Sequence, residues 1–129
     1  MQKLTFNRGR TIFNKGDGGA DLFIISSGEV GIYFPSNAEM EKPDLVLKSP
    51  EIFGEMAVID DALRMATARA ETDCILLSVN RSEFEERLSN ADVVVRGVVA
   101  ILSERLRDLQ KRRYGTVRLN SVEASLVYL

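Results

Sequence analysis

A chain of 129 residues with 45% hydrophobic and 28% charged residues fits one globular domain. It contains no histidine and one cysteine, Cys74, which excludes His-based hydrolytic triads, His-ligated metals, internal disulfides and cysteine clusters. We therefore expect a non-enzymatic, metal-free protein in a reducing, cytoplasmic compartment. A net charge of −2 disfavours direct DNA binding, and no apolar run approaches the roughly 20 residues that cross a membrane.

The first 80 residues show the pattern of a β protein. Short β-type runs alternate with turns rich in Gly, Pro, Ser and Asn, which predicts a sandwich, barrel or jelly roll. The predicted strands are 11–13, 22–25, 30–34, 45–47, 67–70 and 75–79. A short helical turn over 57–61 would present backbone N–H groups to an anion.

The pattern becomes helical after Asn80. Ser82 is the predicted N-cap of a short helix over 82–88, and a longer helix is predicted from about 90 to 113, where Gly115 supplies a stop signal. We place one domain at 1–115, with its strands at about 5–80 and its helices at about 81–114. Residues 116–129 form a C-terminal tail in this scheme.

Two apolar stripes follow the predicted long helix. One has the spacing of a coiled-coil seam that a second helix could cover: Val95, Val99, Leu102, Leu106 and Leu109. The other, formed by Val94, Val98 and Ile101, is expected to face the strands. A homodimer through this helix and a single wide core-facing stripe remain alternatives, because coiled-coil assignments need more than two heptads.

The most specific segment is IFGEMAVIDDALRMATARA at residues 52–70. Gly54 lets a ligand approach the backbone, and the Glu55 carboxylate can accept a hydrogen bond from a sugar hydroxyl. Arg64, nine positions after the glutamate, presents a planar fork of donors that matches phosphate oxygens. These residue types suit a sugar phosphate, although the spacing alone is better explained by a surface ion pair of little energetic value.

The same segment resembles the phosphate-binding cassette of the cyclic nucleotide-binding domain family, found in catabolite-activator-type regulators, kinase regulatory subunits and gated channels. Residues 53–59 follow the family consensus, and residues 64–67 stand where Arg, a small residue, Ala and often Thr are expected. Residues 13–30 resemble the family's first strands and glycine turn, so the resemblance covers about residues 6–113. It implies a mainly β protein with α: a double-stranded β-helix, or jelly-roll-like β-roll, followed by a short helix and a long C-terminal helix.

The resemblance implies a binding site for the phosphate and ribose of a cyclic nucleotide. Arg64 would pair with the cyclic phosphate, and Glu55 would accept from the ribose 2′-hydroxyl. The backbone N–H groups of Met65 and Ala66 would bond phosphate oxygens. Met65 lacks the hydroxyl that a guanine-selective site would use, which favours cAMP over cGMP.

Further residues carried over from the family surround the ribose and the purine. Three neighbours in sequence would shape the pocket: Gly54, Met56 and Ala57. Ile32 and Val46, on neighbouring strands, would line the purine side, and Gln110 would bond a purine edge. Leu63 departs from the pattern, because the family often has proline before the arginine.

The expected function is that of a cAMP-sensing regulatory domain. Ligand binding would move the C-terminal helix and its dimer interface, with an unknown protein effector as a further partner. One alternative is a β-roll that serves only for dimerisation or partner binding, independently of ligand. Another is the sensor of a transcription regulator whose DNA-binding domain is missing, because the fourteen residues after Gly115 are too few for a three-helix reader.

Overall fold

Two antiparallel four-stranded sheets form the body of the molecule in a computed structural model, which describes the backbone of residues 1–113 and the side chains of residues 1–109. The strands are β1 (Gln2–Phe6), β2 (Thr11–Phe13), β3 (Asp21–Ser27), β4 (Glu29–Tyr33), β5 (Leu45–Lys48), β6 (Ile52–Phe53), β7 (Thr67–Ala70) and β8 (Cys74–Asn80). The helices are α1 (Met56–Ile59), α2 (Arg81–Ser89) and α3 (Val93–Arg113). The predicted tail at 116–129 lies outside the described residues.

The chain crosses repeatedly between the two sheets. One sheet has the strand order β1-β8-β3-β6, and the other has the order β2-β7-β4-β5. Partners such as β1 and β8 lie far apart in sequence, so the first strand closes against the last. This is the predicted β-roll followed by a short and a long helix, and the fold class is confirmed.

The core lies between the sheets and takes side chains from both of them. Strand alternation brings apolar residues inward from β3, β4, β7 and β8, including Ile25, Ile32 and Leu76, which are at most 1% exposed. At one end the rings of Phe13, Phe23 and Phe53 pack with centroids 5.3–6.0 Å apart. Burial of each such ring stabilises the fold by roughly 1.5–3 kcal/mol.

Three expectations about the elements were wrong or incomplete. The six predicted strands are present, but β1 and β6 were not predicted. The N-cap of α2 is Asn80 and not Ser82, since the Asn80 side chain accepts from the Glu83 N–H at 2.9 Å. The stripe of Val94, Val98 and Ile101 does not face the strands, because these side chains are 70%, 50% and 53% exposed.

The helices occupy one side of the roll. α1 follows β6 directly, so residues 54–59 lead from the sheet into a single helical turn. α2 begins where β8 ends, and α3 follows after a short turn. In the part of the chain that the structure describes, no helix is long and apolar enough to cross a membrane.

Candidate functional site

Backbone hydrogen bonds hold Arg64 against the turn between β2 and β3. The Gly16 N–H donates to the Arg64 carbonyl at 2.7 Å, and the Arg64 N–H donates to the Asp17 carbonyl at 2.9 Å. These two bonds fix the residue just before β7 begins at Thr67. The side chain therefore leaves from a defined point at the end of the roll that holds the three phenylalanines.

The Arg64 side chain turns inward and is only 7% exposed. Its Nη1 donates to the Gly54 carbonyl at 2.9 Å, and its Nη2 donates to the Asp21 carbonyl at 2.7 Å. The guanidinium carbon lies 4.3 Å from the ring centroid of Phe13 and 5.6 Å from that of Phe23. The surface ion pair that the spacing alone favoured is not formed, because the cation is buried against rings and carbonyl groups.

Two glycines leave room for the guanidinium. A Cβ atom at Gly54 would lie 2.7 Å from Arg64 Nη1, and one at Gly19 would lie 2.9 Å from Nη2. Gly54 also has a φ of +76°, a backbone conformation that residues other than glycine rarely adopt. The sequence predicted a ligand at the backbone of Gly54, where the structure places the Arg64 guanidinium, and no contact was assigned to Gly19.

Glu55 supplies a buried acceptor beside this cation. Its Oε2 and the Arg64 Nε are buried and make no hydrogen bond within the described residues. An unsatisfied buried polar atom costs about 1–3 kcal/mol, and more when the group is charged. The two atoms are therefore suited to a ligand that brings an anion for Arg64 and a hydroxyl donor for Glu55.

Burial dominates the electrostatics of both groups. It raises the pKa of Glu55 above its ordinary value, against the opposing effects of a backbone hydrogen bond and the Arg64 charge. Burial likewise lowers the pKa of Arg64, against the attraction of the Asp21, Asp17 and Glu55 carboxylates. Arginine nevertheless keeps its charge in proteins, so the site retains a buried cation that lacks a carboxylate within 4 Å in the described residues.

The residues expected to shape the pocket are all buried beside this pair. Met56 and Ala57 are 4% and 2% exposed, and Met65 and Ala66 directly follow Arg64 at 8% and 1%. Ile32 belongs to the same apolar cluster as Phe13, Phe23 and Ala66. The structure therefore places Ile32 on the side of the sheet that Arg64 contacts.

Two expected purine contacts are not placed with the others. Val46 pairs with Gly31 and is 49% exposed, while its neighbour Leu47 is 5% exposed and faces the core. Because successive side chains of a strand point to opposite faces, Val46 lies on the outer face, away from Ile32. Gln110 lies in α3, but its side chain is outside the described residues.

The predicted helical turn at 57–61 is present one residue earlier, as α1. The N–H groups of Val58 and Ile59 both donate to the Glu55 carbonyl at 3.0 Å, so these two are not available to an anion. The sequence also missed Phe13, Phe23 and the Asp21 carbonyl as contacts of Arg64. No local motif signals these contacts, because the fold brings them together from three separate segments.

Comparisons with known proteins agree with this geometry. The sequence profile described as "Cyclic nucleotide-binding domain" matches residues 3–91. The chain is 31% identical over 108 residues to the Cyclic AMP receptor protein of Thermus thermophilus, covering 84% of this chain and 50% of that protein. It is also 31% identical over 96 residues to a cAMP-dependent protein kinase regulatory subunit of Colletotrichum orbiculare, covering 74% of this chain and 24% of that protein. The chain thus spans half or less of the length of these relatives.

Solved structures of EAL enzyme Bd1971 resemble the chain in fold. The half-site-occupied form superposes with a TM-score of 0.75 and 39% identity, covering 83% of this chain and 96% of that one. The cAMP-bound and cGMP-bound forms give TM-scores of 0.66 and 0.68 at 40% identity, covering 82% of this chain and 28% of each of theirs. With the family profile covering most of the described residues, the chain belongs to the cyclic nucleotide-binding domain family.

Proposed function

We propose that the chain senses a cyclic nucleotide, preferentially cAMP, and catalyses no reaction itself. The observation that carries this proposal is the pair of buried, opposite charges that each leave a polar atom without a partner, Glu55 Oε2 and Arg64 Nε. A cyclic nucleotide offers a singly charged phosphate for Arg64 and a ribose 2′-hydroxyl for Glu55. Within the described residues no cluster of three or more potential metal ligands accompanies them.

The available interactions suffice for useful affinity. A micromolar complex requires about 8 kcal/mol. A hydrogen bond to a charged group contributes about 1.5–3 kcal/mol, so two or three such bonds and burial of the purine reach that value. Arg64 dominates this sum, because removing it leaves the bound phosphate buried without a counter-charge.

The remaining site residues have supporting roles in the proposal. The Met65 and Ala66 N–H groups bind phosphate oxygens, and Gly54, Met56 and Ala57 shape the ribose pocket. Ile32 lines the purine side from the core face. Val46 is left out of the proposed contacts because its side chain points to the outer face.

The proposed preference for cAMP rests on Met65. A thioether cannot donate a hydrogen bond to the guanine edge as a hydroxyl would. Bd1971 has been solved with cAMP and with cGMP, so similarity to that enzyme does not decide between the two ligands. Competition between them for this chain tests the preference, and equal dissociation constants would contradict it.

The proposed output is a movement of α3, to which a dimer partner or a protein effector would respond. A groove of about 300 Å³ separates α3 from the roll and α2, and its apolar lining includes Val58, Phe84, Leu88 and Val99. This groove leaves α3 space to shift, which supports a model in which ligand binding changes its position. Gln110, one turn beyond Arg107, would reach the purine edge in the same movement.

Calorimetry with cAMP tests the site directly. We expect Arg64→Ala to lower the affinity at least tenfold and to retain cooperative unfolding. Arg69→Ala is the matched control, because the Arg69 guanidinium also lies over an aromatic ring, 4.5 Å from the centroid of Tyr33, but on the outer sheet face. Unchanged affinity in Arg64→Ala, or an equal loss in Arg69→Ala, would contradict the assignment.

The exposed apolar surface of α3 favours a second candidate function, that of a dimerisation module that does not bind nucleotides. Val95 and Leu102 are about half exposed, as are several of their neighbours. Thermal shifts with cAMP, cGMP and cyclic dinucleotides separate the two candidates. A ligand at 100 times its Kd stabilises by about 2.7 kcal/mol, so the absence of any shift would favour the module.

A further inference from the structure

The carboxyl end of α1 is held by an arginine of α2. Arg81 donates through Nε to the Val58 carbonyl at 3.3 Å and through Nη2 to the Ala57 carbonyl. Its Nη2 also lies 2.8 Å from an oxygen of Asp61. Arg81 is the first residue of α2 and directly follows β8, so the sheet fixes its backbone.

A second arginine, from α3, holds the same end of α1. Arg107 donates through Nε to Asp60 Oδ1 at 2.9 Å and through Nη2 to the Ile59 carbonyl at 3.0 Å. With the Asp60 N–H bonded to the Met56 carbonyl, every carbonyl of α1 has a donor. The last four carbonyls of any helix lack donors within it, and α1 is only four residues long, so these external donors matter for its placement.

Arg81 and Arg107 together form an arginine clamp on the carboxyl end of α1, and α1 connects this clamp to the ligand site. Glu55 is the N-cap of α1, and its carbonyl accepts from Val58 and Ile59. At 1.5 Å per residue, the four residues of α1 place Glu55 only about 6 Å from the clamped end. A turn this short is marginal alone, so its orientation depends on the groups that hold its ends.

We propose that Arg107 is a positioning residue of the cyclic-nucleotide site, which couples the docking of α3 to ligand binding. By fixing the end of α1, Arg107 orients the Glu55 carboxylate for the ribose before the ligand arrives. The coupling is reciprocal, so the bound ligand strengthens the docking of α3 by the same factor. This inference rests on the proposed function and names the contact through which the site communicates with α3.

Affinity for cAMP in an Arg107→Gln variant provides the first test. We expect binding to weaken about three- to tenfold, because the ligand must then order α1 itself. Arg105→Gln is the matched control on the same helix, where the side chain is exposed, and its affinity should stay within twofold. Equal affinities of Arg107→Gln and wild type would overturn the positioning role.

A double-mutant cycle with Asp60→Asn distinguishes positioning from a general structural loss. If the Arg107 and Asp60 side chains act through their mutual contact, the variant with both substitutions should bind cAMP no more weakly than Arg107→Gln alone. Fully additive losses would show that they act separately and would overturn the clamp. Arg107→Lys, which keeps the charge, should recover part of the affinity.

Hydrogen exchange of α3 gives the reciprocal measurement. cAMP should increase amide protection of α3 in the wild type, and this increase should disappear in Arg107→Gln at saturating ligand. The same increase in both proteins would contradict the coupling. A wild type that binds no cyclic nucleotide would overturn the proposed function itself, whereas binding that is indifferent to Arg107 would overturn only this inference.

Discussion

The Arg64 guanidinium reaches its buried position because the backbone opposite it carries no side chain at two points. Gly54 and Gly19 lie against different ends of the same group, and only Gly54 has a positive φ. The two glycines therefore contribute in different ways. Gly54 is required by its conformation and by its contact, whereas Gly19 is required by its contact alone.

Alanine substitutions should separate these two effects. Gly54→Ala should lower the free energy of unfolding by about 1–2 kcal/mol, because alanine is strained at this φ. Gly19→Ala should change stability little and weaken cAMP binding severalfold, since the new methyl displaces the Nη2 end of the Arg64 side chain. Urea unfolding and calorimetry provide the two measurements.

Gly18→Ala is the control for this pair, because a Cβ there meets nothing within 4 Å and its φ is not positive. It should change neither stability nor affinity. A Gly19→Ala protein that binds cAMP like the wild type would show that the position of Nη2 is irrelevant to the ligand.

Glu55→Gln should make the protein more stable and a weaker binder. Burial raises the folded-state pKa of Glu55, so above the usual value of 4.5 ionisation of this carboxyl costs stability. Glutamine removes that cost at pH 7, and the advantage should vanish below the usual pKa, where both folded and unfolded carboxyls are protonated. Affinity for cAMP should fall about tenfold, because a neutral acceptor makes the weaker hydrogen bond.

Urea unfolding of both proteins at pH 4 and pH 7, with calorimetry at pH 7, tests this expectation. A variant that is less stable than the wild type at pH 7 would contradict the electrostatic argument. Unchanged affinity would instead contradict the role of Glu55 toward the ribose.

Candidate site residues could be predicted from the sequence where a short local motif indicates their chemistry. The FGE and RMA segments indicated Glu55 and Arg64, but not the bonds from Arg64 to the Gly54 and Asp21 carbonyls, which depend on tertiary structure. The N-cap was misplaced because Asn80 and Ser82 are both good capping residues and β8 runs directly into α2 without a turn. The prediction for Val46 needs an inward side chain, whereas alternation along β5 turns Leu47 inward and Val46 outward.

At the scale of elements, the prediction succeeded where a period was long enough to read. β3, β4 and β8 have five to seven residues of β-type sequence each. β6 has two residues, which cannot show alternation, and it is a strand because β3 pairs with it. β1 is not among the predicted strands, although Leu4 and Phe6 alternate there with polar residues.

The outer face of the β2-β7-β4-β5 sheet contains a polar network that is separate from the ligand site. Tyr33 donates its hydroxyl to Glu71 and accepts from Arg69, and Arg69 also donates to the Met40 carbonyl at 3.4 Å. Burial raises the pKa of Tyr33 to about 12, so the hydroxyl remains a donor at neutral pH. This network ties the loop before β5 to the sheet.

Tyr33→Phe should lower the free energy of unfolding by about 1–3 kcal/mol, because Glu71 loses its donor and Arg69 its acceptor in a partly buried setting. Binding of cAMP should be unchanged, since these side chains face away from Arg64. Urea unfolding and calorimetry measure the two quantities. A loss of affinity without a loss of stability would mean that the outer face communicates with the site.

At the scale of the whole molecule, the described part of α3 is mostly exposed. It contacts the roll through Arg107 and the lining of the groove, while Val93, Val94 and Val98 are 72%, 70% and 50% exposed. Apolar side chains so exposed on one helix are typical of a surface that another chain covers. The sequence spacing indicated an apolar stripe on α3. It could not show whether the chain's own core or a second copy of the chain covers that stripe, because both require apolar residues at the same spacing.

We expect the protein to be a dimer whose two α3 helices pack through their exposed apolar faces. Leu102→Glu should convert it to a monomer, because two carboxylates would meet across the twofold axis in an apolar contact. The monomer should keep its fold, since Leu102 is already 50% exposed and contributes little to the core of its own chain. Sedimentation measures the mass, and far-ultraviolet circular dichroism checks the fold. Glu104→Gln, a neighbouring exposed position that lines the groove, is the control and should remain dimeric. A wild type that sediments as a monomer at all concentrations would assign the exposed face of α3 to a different partner.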